Sequence, residues 1–472
     1  MKTLSTISIL KSTIGNPVVR SILKPLCKYC EKDGKNRIEV AIELYTGQRE
    51  NACISCKVAS RIIEKFLIKG AEAFGLSEEE IKEKFKDSYW AKALASTVKG
   101  IAYFGVRRPF TAGAPYQVVW DVTTACNLRC KHCYSASGKK GEDELDTNEA
   151  KKAIDILAKA GVTILAFSGG EPLVRHDIFE LAQHAASKGM YVAMATNGTL
   201  ITKDVARKMK EAGIQFVQIS LDGATPEVHD EFRGVKGAFE KTVEGIKNCV
   251  AEGFFVEVST TATHFNYKQI PDIIDFCERL KVNWFMVFNF IPTGRGRFII
   301  ENDLTPEERE ELLKMLWEKS KVSNVQILST APQFARVALQ EEEENDEELI
   351  MPTHFYNPRL QGQLISLAEF IGGCGAGRFY LAMEPNGDLQ PCVFFPLKIG
   401  NILEDDFEEI WRYNKVLEEL RNKDLIKKCR ECKYRYYCGG CRARAYGYFK
   451  DYLMPDPGCI YNRKEYEKVV ER

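Results

Sequence analysis

From residue 116 onward the chain alternates short apolar runs with longer stretches of helical period. The strand-like runs cover 118–122, 163–167, 191–195, 216–221, 255–261 and 284–290. Between them lie 147–160, 177–188, 203–212, 238–252 and 267–280, where apolar residues recur every three or four positions. Strands alternating with helices predict parallel pairing through crossover helices, and so an α/β fold. Six such repeats predict a partial (βα)6 TIM-like barrel with its ligands at the C-terminal strand ends. A further helix is expected over 305–321. The pattern divides the chain into an N-terminal region (1–115), the barrel (116–300), a helical bridge (301–370) and a C-terminal region (371–472).

Cysteine changes this picture most. The 472 residues include 16 cysteines. Fourteen fall into three groups with C-x-x-C-type spacing, which reads as metal ligation in a reducing cytosol, not as a disulfide framework. In the first group, Cys27-x2-Cys30 and Cys53-x2-Cys56 bracket a predicted hairpin over 37–44, turned at Thr46-Gly47. Two such knuckles predict one four-thiolate site for zinc or a rubredoxin-like mononuclear iron, in a structural or electron-transfer role. The second group, Cys126-x3-Cys130-x2-Cys133, follows the first strand-like run. Three thiolates on one short loop can hold three irons of a 4Fe–4S cube and leave the fourth open. The third group runs Cys374, Cys392, Cys429, Cys432, Cys438, Cys441 and Cys459. Cys249 and Cys277 stand alone in helical patterns and are expected to be small buried hydrophobes.

The totals exclude rather than assign. Net charge is zero and charged content 28%, so nothing global argues for nucleic acid. No apolar run approaches the ~18 residues of a membrane span, and residues 1–10 lack a signal-peptide pattern. Both observations predict a cytoplasmic protein. Residues 1–30 and 88–116 are basic and amphipathic, with Trp90, Tyr103, Phe104 and Phe110 interleaved in the second. Such stretches either lie on an anionic membrane face, giving a peripheral contact, or pack on the barrel. The acidic run 341–348 is expected to be a solvated face without chemistry.

The loop C-x3-C-x-Φ-C, with His132 in the Φ place, resembles the signature of radical S-adenosylmethionine (SAM) enzymes. Ser168-Gly169-Gly170-Glu171-Pro172, closing the second strand-like run, resembles that family's G-G-E-P motif. A structural zinc loop followed by an unrelated glycine turn is the alternative. The resemblance implies that the backbone and Glu171 of this motif hold the amino group of SAM, and that Arg233 meets its carboxylate. Asn197, Ser220 and Asp222, at later strand ends, suit the ribose hydroxyls, as do Thr260 and Thr261. Asn-Gly and Asp-Gly are equally ordinary turn formers. Pro292-Thr293-Gly294 is expected to approach adenine.

The third cysteine group resembles the SPASM extension of these enzymes, with two auxiliary 4Fe–4S clusters. The implied ligands are Cys429, Cys432, Cys438 and Cys459 for one, and Cys374, Cys392 and Cys441 for the other. Two residues separate Cys438 from Cys441, where the family usually has three. Two zinc knuckles are the alternative. The implied activity is reductive cleavage of SAM to a 5′-deoxyadenosyl radical, which takes hydrogen from an unactivated C–H bond. The resemblance implies three 4Fe–4S clusters in all and a one-electron donor such as a ferredoxin or flavodoxin. The basic amphipathic N-terminal region favours a lipid-like isoprenoid hydrocarbon as substrate, with C–C bond formation. Cys438–Ala445 and Asp456–Cys459 instead resemble members acting on tetrapyrrole side chains. Maturation of a ribosomal peptide is the third option.

Overall fold

The computed structural model describes residues 15–74, 77–342, 348–353, 357–361, 365 and 367–470. Its centre is a parallel sheet of β3 (Gln117–Asp121), β4 (Ile164–Ser168), β5 (Tyr191–Thr196), β6 (Ile214–Ser220), β7 (Phe255–Ala262) and β8 (Trp284–Asn289), each pairing with the next. The crossovers carry α6 (Thr147–Ala160), α7 (Ile178–Ser187), α8 (Lys203–Glu211), α9 (Pro226–Arg233), α10 (Ala238–Ala251) and α11 (Ile270–Leu280). Alternate residues such as Val118, Leu165, Val192, Val217, Val256 and Phe285 are wholly buried. Each such side chain contributes about 1.5–3 kcal/mol. Cys249 and Cys277 belong to this core.

The sheet is wider than the six repeats predict. The segment expected as a helical bridge holds α12 (Pro306–Val322), but also β9 (Gln326–Ser329), which pairs parallel to β8. It continues into α13 (Gln333–Glu341). The hairpin β10 (Glu348–Ile350) and β11 (Arg359–Gln361) stands apart. On the other flank β12 (Tyr380–Met383) pairs parallel to β3, followed by antiparallel β13 (Asp388–Gln390) and β14 (Gly400–Asn401). The C-terminal region is thus continuous with the sheet through β12. It goes on through α14 (Phe407–Tyr413), α15 (Lys415–Arg421) and α16 (Arg442–Phe449). Most of the acidic run lies outside the described residues.

The N-terminal module contains α1 (Pro17–Leu26), β1 (Tyr29–Cys30), β2 (Lys35–Asn36), α2 (Arg37–Tyr45), α3 (Ile54–Phe74), α4 (Glu78–Phe85) and α5 (Ser88–Phe104). The predicted hairpin over 37–44 is therefore a helix. Asn36 caps it by accepting from the Ile38 N–H, and Ile38 through Ile42 are buried on every side. The hairpin is the short β1–β2 pair before it.

Helix α5 lies across the N-terminal strand ends. Tyr89 packs on Tyr191 at 5.5 Å, and Ser88 Oγ donates to the Gly189 carbonyl at 3.4 Å. Its basic residues turn inward. Lys92 pairs with Glu39 at 3.1 Å, and Lys99 bonds the Ala160 carbonyl at 2.9 Å and pairs with Glu408. Of the two expected uses of this basic stretch, packing on the barrel is the one seen for α5. Residues 1–14 of the first stretch lie outside the described residues. Among the described residues no helix is long and apolar enough to cross a membrane.

Candidate active site

The loop leaving β3 carries Cys126, Cys130 and Cys133 and is fixed by its own backbone. Cys126 N–H donates to the Gly138 carbonyl (3.0 Å), and Gly138 N–H returns to that of Thr124 (2.7 Å). Arg129 and Lys131 N–H donate to the carbonyls of Arg233 and Phe232 at the end of α9 (3.1 and 3.0 Å). Arg295, which the sequence reading missed, clasps the loop from beyond β8. Its N–H donates to the Cys133 carbonyl (2.8 Å) and its Nε to that of Cys130 (3.0 Å). Its signal was its place next to Pro292-Thr293-Gly294. That segment packs on the loop itself: a Cβ on Gly294 would stand 2.1 Å from the Tyr134 carbonyl oxygen.

Two close approaches explain the glycines of the second motif. Gly169 has φ +122° and a Cβ there would lie 2.6 Å from the Thr123 oxygen; a Cβ on Gly170 would lie 2.0 Å from that of Ala125. Their absence lets Gly170 and Glu171 donate N–H bonds to Thr123 and Ala125 (2.7 and 2.9 Å), joining the two loops edge to edge. Glu171 is fully buried. It accepts from Thr196 Oγ1 (2.7 Å), Asn197 N–H (2.8 Å) and Leu173 N–H (3.2 Å), so its carboxylate ties the end of β4 to that of β5. Burial raises its pKa against these donors. Pro172 begins the short 3-10 turn that follows.

His132, Gly169, Gly170, Asn197, Ser220 and Arg233 all line one cavity with the three cysteines; Glu171, Pro172 and Asp222 do not. Asp222 lies behind, paired with Arg233 at 2.6 Å and accepting from Thr261 N–H at 2.8 Å. Burial works to raise the Asp222 carboxyl, but Arg233 overcomes it and holds it below the usual range. Arg233 Nη1 is 3.6 Å from Cys130 Sγ, so the Asp222–Arg233 pair aims a cation at a thiol that must ionise to bind metal. His132 stacks on Phe232 at 4.2 Å, and burial pushes it down to about 4, leaving a neutral ring. Of Thr260 and Thr261, the second lines the cavity; the first donates to the Leu221 carbonyl (2.6 Å).

Cys374, Cys392 and Cys441 open on the same cavity, whereas Cys429, Cys432, Cys438 and Cys459 do not. Their mutual influence follows the same division. After burial, Cys374 is among the groups raising Cys441 and Cys392, the latter to about 12. Cys438 and Cys459 are raised by burial first, and by Cys429 among others; Cys432 adds to Cys429. Gly439 and Gly440, at φ +66° and +62°, make the short turn between Cys438 and Cys441.

The N-terminal cysteines arrange differently from expectation. Cys30, Cys53, Cys56 and Asp33 bring their ligand atoms within 4.8 Å of one another, with Cys30 Sγ 3.6 Å from Cys53 Sγ and 3.3 Å from Asp33 Oδ2. Cys27 is not in this group. It ends α1 with its side chain in the neighbouring apolar cluster of Leu23, Leu26 and Ile42, where burial raises its thiol to about 12. Asp33 was missed because it lies inside the turn of the β1–β2 hairpin. Neither the cysteines of the β3 loop nor those of the C-terminal region form so tight a group among the described residues.

The shared cavity measures about 630 Å³. It runs from the cysteine loop down the barrel interior to Tyr191, Phe216, Phe255 and Trp284, the inward residues at the strand starts, and to Tyr89 and Trp90 of α5. Glu257 and Gln218, register partners on β7 and β6, stand in its wall. Glu257 is 2% exposed and has no hydrogen-bond partner among the described residues; burial raises it to about 8.

Comparison with known proteins places this architecture. Residues 120–280 match the radical SAM superfamily and residues 374–433 the SPASM iron–sulfur cluster-binding domain. The chain is similar to the AdoMet-dependent heme synthase of Methanosarcina barkeri, 38% identical over 351 residues, 74% of this chain and 97% of that one. It is 34% identical over 358 residues to the Fe-coproporphyrin III synthase of the same organism, covering 74% and 88%. The crystal structure of Streptococcus suis SuiB bound to precursor peptide SuiA overlays with a TM-score of 0.61 at 17% identity, covering 89% of this chain and 91% of that one, a likeness of fold. With cysteine loop, glycine motif and parallel sheet in these positions, the chain belongs to the radical SAM enzymes that carry a C-terminal SPASM domain.

Proposed function

We propose that the chain takes hydrogen from an unactivated C–H bond on the side chain of a tetrapyrrole. The observation that carries this is one apolar, aromatic-walled cavity bordered by the Cys126–Cys130–Cys133 loop and by Cys374, Cys392 and Cys441. A planar macrocycle suits such walls. The two curated relatives bear the names of heme and coproporphyrin synthases.

A 4Fe–4S cluster with SAM, when bound, supplies a 5′-deoxyadenosyl radical after one-electron reduction by a ferredoxin- or flavodoxin-type donor. The chain's residues hold, orient and insulate. Cys126, Cys130 and Cys133 are the ligands of that cluster, with Arg233 beside Cys130 favouring the thiolate. Gly169 and Gly170 let the two loops meet at the edge of the cavity, and Asn197, Ser220 and Thr261 offer polar atoms at the strand ends. Arg295 and Glu171 lock the loops in register. Cys374, Cys392 and Cys441 hold an auxiliary cluster against the substrate space, and Cys429, Cys432, Cys438 and Cys459 a second one behind it. Cys30, Cys53, Cys56 and Asp33 hold a single zinc or iron. Zn–S bonds of about 2.3 Å put tetrahedral sulfurs about 3.8 Å apart, close to the Cys30–Cys53 separation. Its role is to clamp the hairpin onto α3.

A lipid-like hydrocarbon is set aside as substrate. It would leave Glu257 and Gln218 facing an apolar chain with no hydrogen-bond partner, a costly arrangement. The named relatives point to tetrapyrroles instead. The test is anaerobic turnover of the reduced, cluster-loaded chain with SAM and iron coproporphyrin. Porphyrin-dependent 5′-deoxyadenosine and a mass change in the porphyrin are expected. 5′-Deoxyadenosine without any change in the porphyrin would overturn the substrate and leave the radical chemistry standing.

A further inference from the structure

A second cavity, of about 420 Å³, opens where α5 and the residues after it meet α14 and α15. It is lined by Phe104, Arg107, Arg108, Arg412, Glu418 and Arg421, with Asn422 beside them. Four guanidinium groups therefore face one carboxylate. Arg108 and Arg412 are engaged by Glu369 and Glu408. Arg107 and Arg421 have no carboxylate within 4 Å among the described residues.

Arg421 is 7% exposed. Its Nε and Nη2 donate to the carbonyls of Gly377 and Trp411, each at 2.6 Å, while its buried Nη1 has no partner. The buried Nε of Arg412 has none either. The Phe104 ring receives both cations on its surface, Arg421 at 4.8 Å and Arg107, whose Nε also donates to the Phe104 carbonyl (2.7 Å), at 5.9 Å from its centroid. Burial, with Arg107 nearby, pushes Arg421 down to about 9, and burial with Arg20 lowers Arg107. Like charges held this close repel, and a buried donor without an acceptor costs stability. A phosphate group answers both, because the planar guanidinium fork matches two of its oxygens.

We propose that this pocket binds a phosphate-bearing ligand, gripped by Arg421 at its base and Arg107 at its rim. The site exists only where the N-terminal module meets the C-terminal region, so an occupant would also tie the two together. It is separate from the cysteine-lined cavity and does not depend on the substrate assigned there.

The same chemistry is offered by a soluble phosphate ester and by a phospholipid headgroup. Two probes on the full, cluster-loaded chain distinguish them: calorimetric titration with inorganic pyrophosphate, and co-sedimentation with phosphatidylglycerol against phosphatidylcholine vesicles. One saturable site per chain is expected, weakened about tenfold by Arg107→Gln, which removes about 1.4 kcal/mol. Arg107 sits at the exposed rim, so this variant keeps the test interpretable if Arg421→Gln fails to fold. Its 5′-deoxyadenosine production should match the parent chain. Saturable pyrophosphate binding assigns a soluble ester; binding to phosphatidylglycerol vesicles alone assigns a headgroup. No saturable binding of either probe, or binding unchanged by Arg107→Gln, overturns the site.

Discussion

The β3 loop and the N-terminal module each carry a cysteine pattern; the three loop cysteines border one cavity, whereas in the module Cys27 stands outside the group of Cys30, Cys53, Cys56 and Asp33. Cys126, Cys130 and Cys133 share one loop, so their separation in sequence sets their separation in space. Cys27, Cys30, Cys53 and Cys56 come from a helix end, a hairpin and the start of a second helix. There the packing of α1 against α2 and α5 draws Cys27 into an apolar cluster, and the hairpin turn offers Asp33 in its place. Spacing along the chain limits how far apart thiols can lie when one segment supplies them all, and says little when three segments do.

The contrast can be broken at either end. The largest effect is expected from Cys126→Ala, which removes one of the three thiols proposed to hold the radical-generating cluster. 5′-Deoxyadenosine production under strong reductant should fall by about a hundredfold or more, with the loss of roughly one cluster's iron. Retained production would mean that the loop is not the radical centre.

In the N-terminal module Asp33→Ala should lose one metal equivalent per chain and lower the melting temperature, whereas Cys27→Ala should keep the metal. Elemental analysis of the two variants decides between them; the reverse result would restore the four-cysteine site. Gly170→Ala is a middle case. Its Cβ would fall 2.0 Å from a backbone oxygen, so the two loops must separate. A stability loss of about 1–3 kcal/mol in denaturant unfolding is expected, with weaker SAM binding.

The last test, read as a change of slope with pH, concerns Glu257. Its folded pKa of about 8 lies above the ordinary 4.5. The folded state therefore keeps a proton that the unfolded state has released between these values. Stability should fall as pH rises through that window, by at most about 1.4 kcal/mol per pH unit. Glu257→Gln should flatten this decline in melting curves recorded from pH 5 to 8. An unchanged slope would place a counter-charge near Glu257.

The six central strands were legible because each carries apolar residues at alternate positions that are wholly buried. β9 and β12 were not: four residues each, they become strands only by adding to an existing edge. The misread hairpin has a specific cause. Ile38, Val40, Ile42 and Leu44 alternate with Glu39, Ala41 and Glu43, a period-two pattern. The segment folds as a helix because Lys92 of α5 neutralises the buried Glu39, so both of its faces can go inside. Likewise Asp222 reads as a ligand-binding turn residue, yet it sits behind Arg233 as its counter-ion.

What the sequence by itself determined is the set of features with local causes: three thiols on one loop, two glycines where loops must touch, and strands whose apolar runs leave them no other place. What only the tertiary structure decided is which distant side chains share a space. The placing of Asp33 rather than Cys27 beside Cys30, Cys53 and Cys56, the clasp of Arg295, the division of the C-terminal cysteines and the arginine pocket all follow from segments far apart in the chain. Their meeting depends on how helices and strands pack, and no spacing along the backbone encodes that distance.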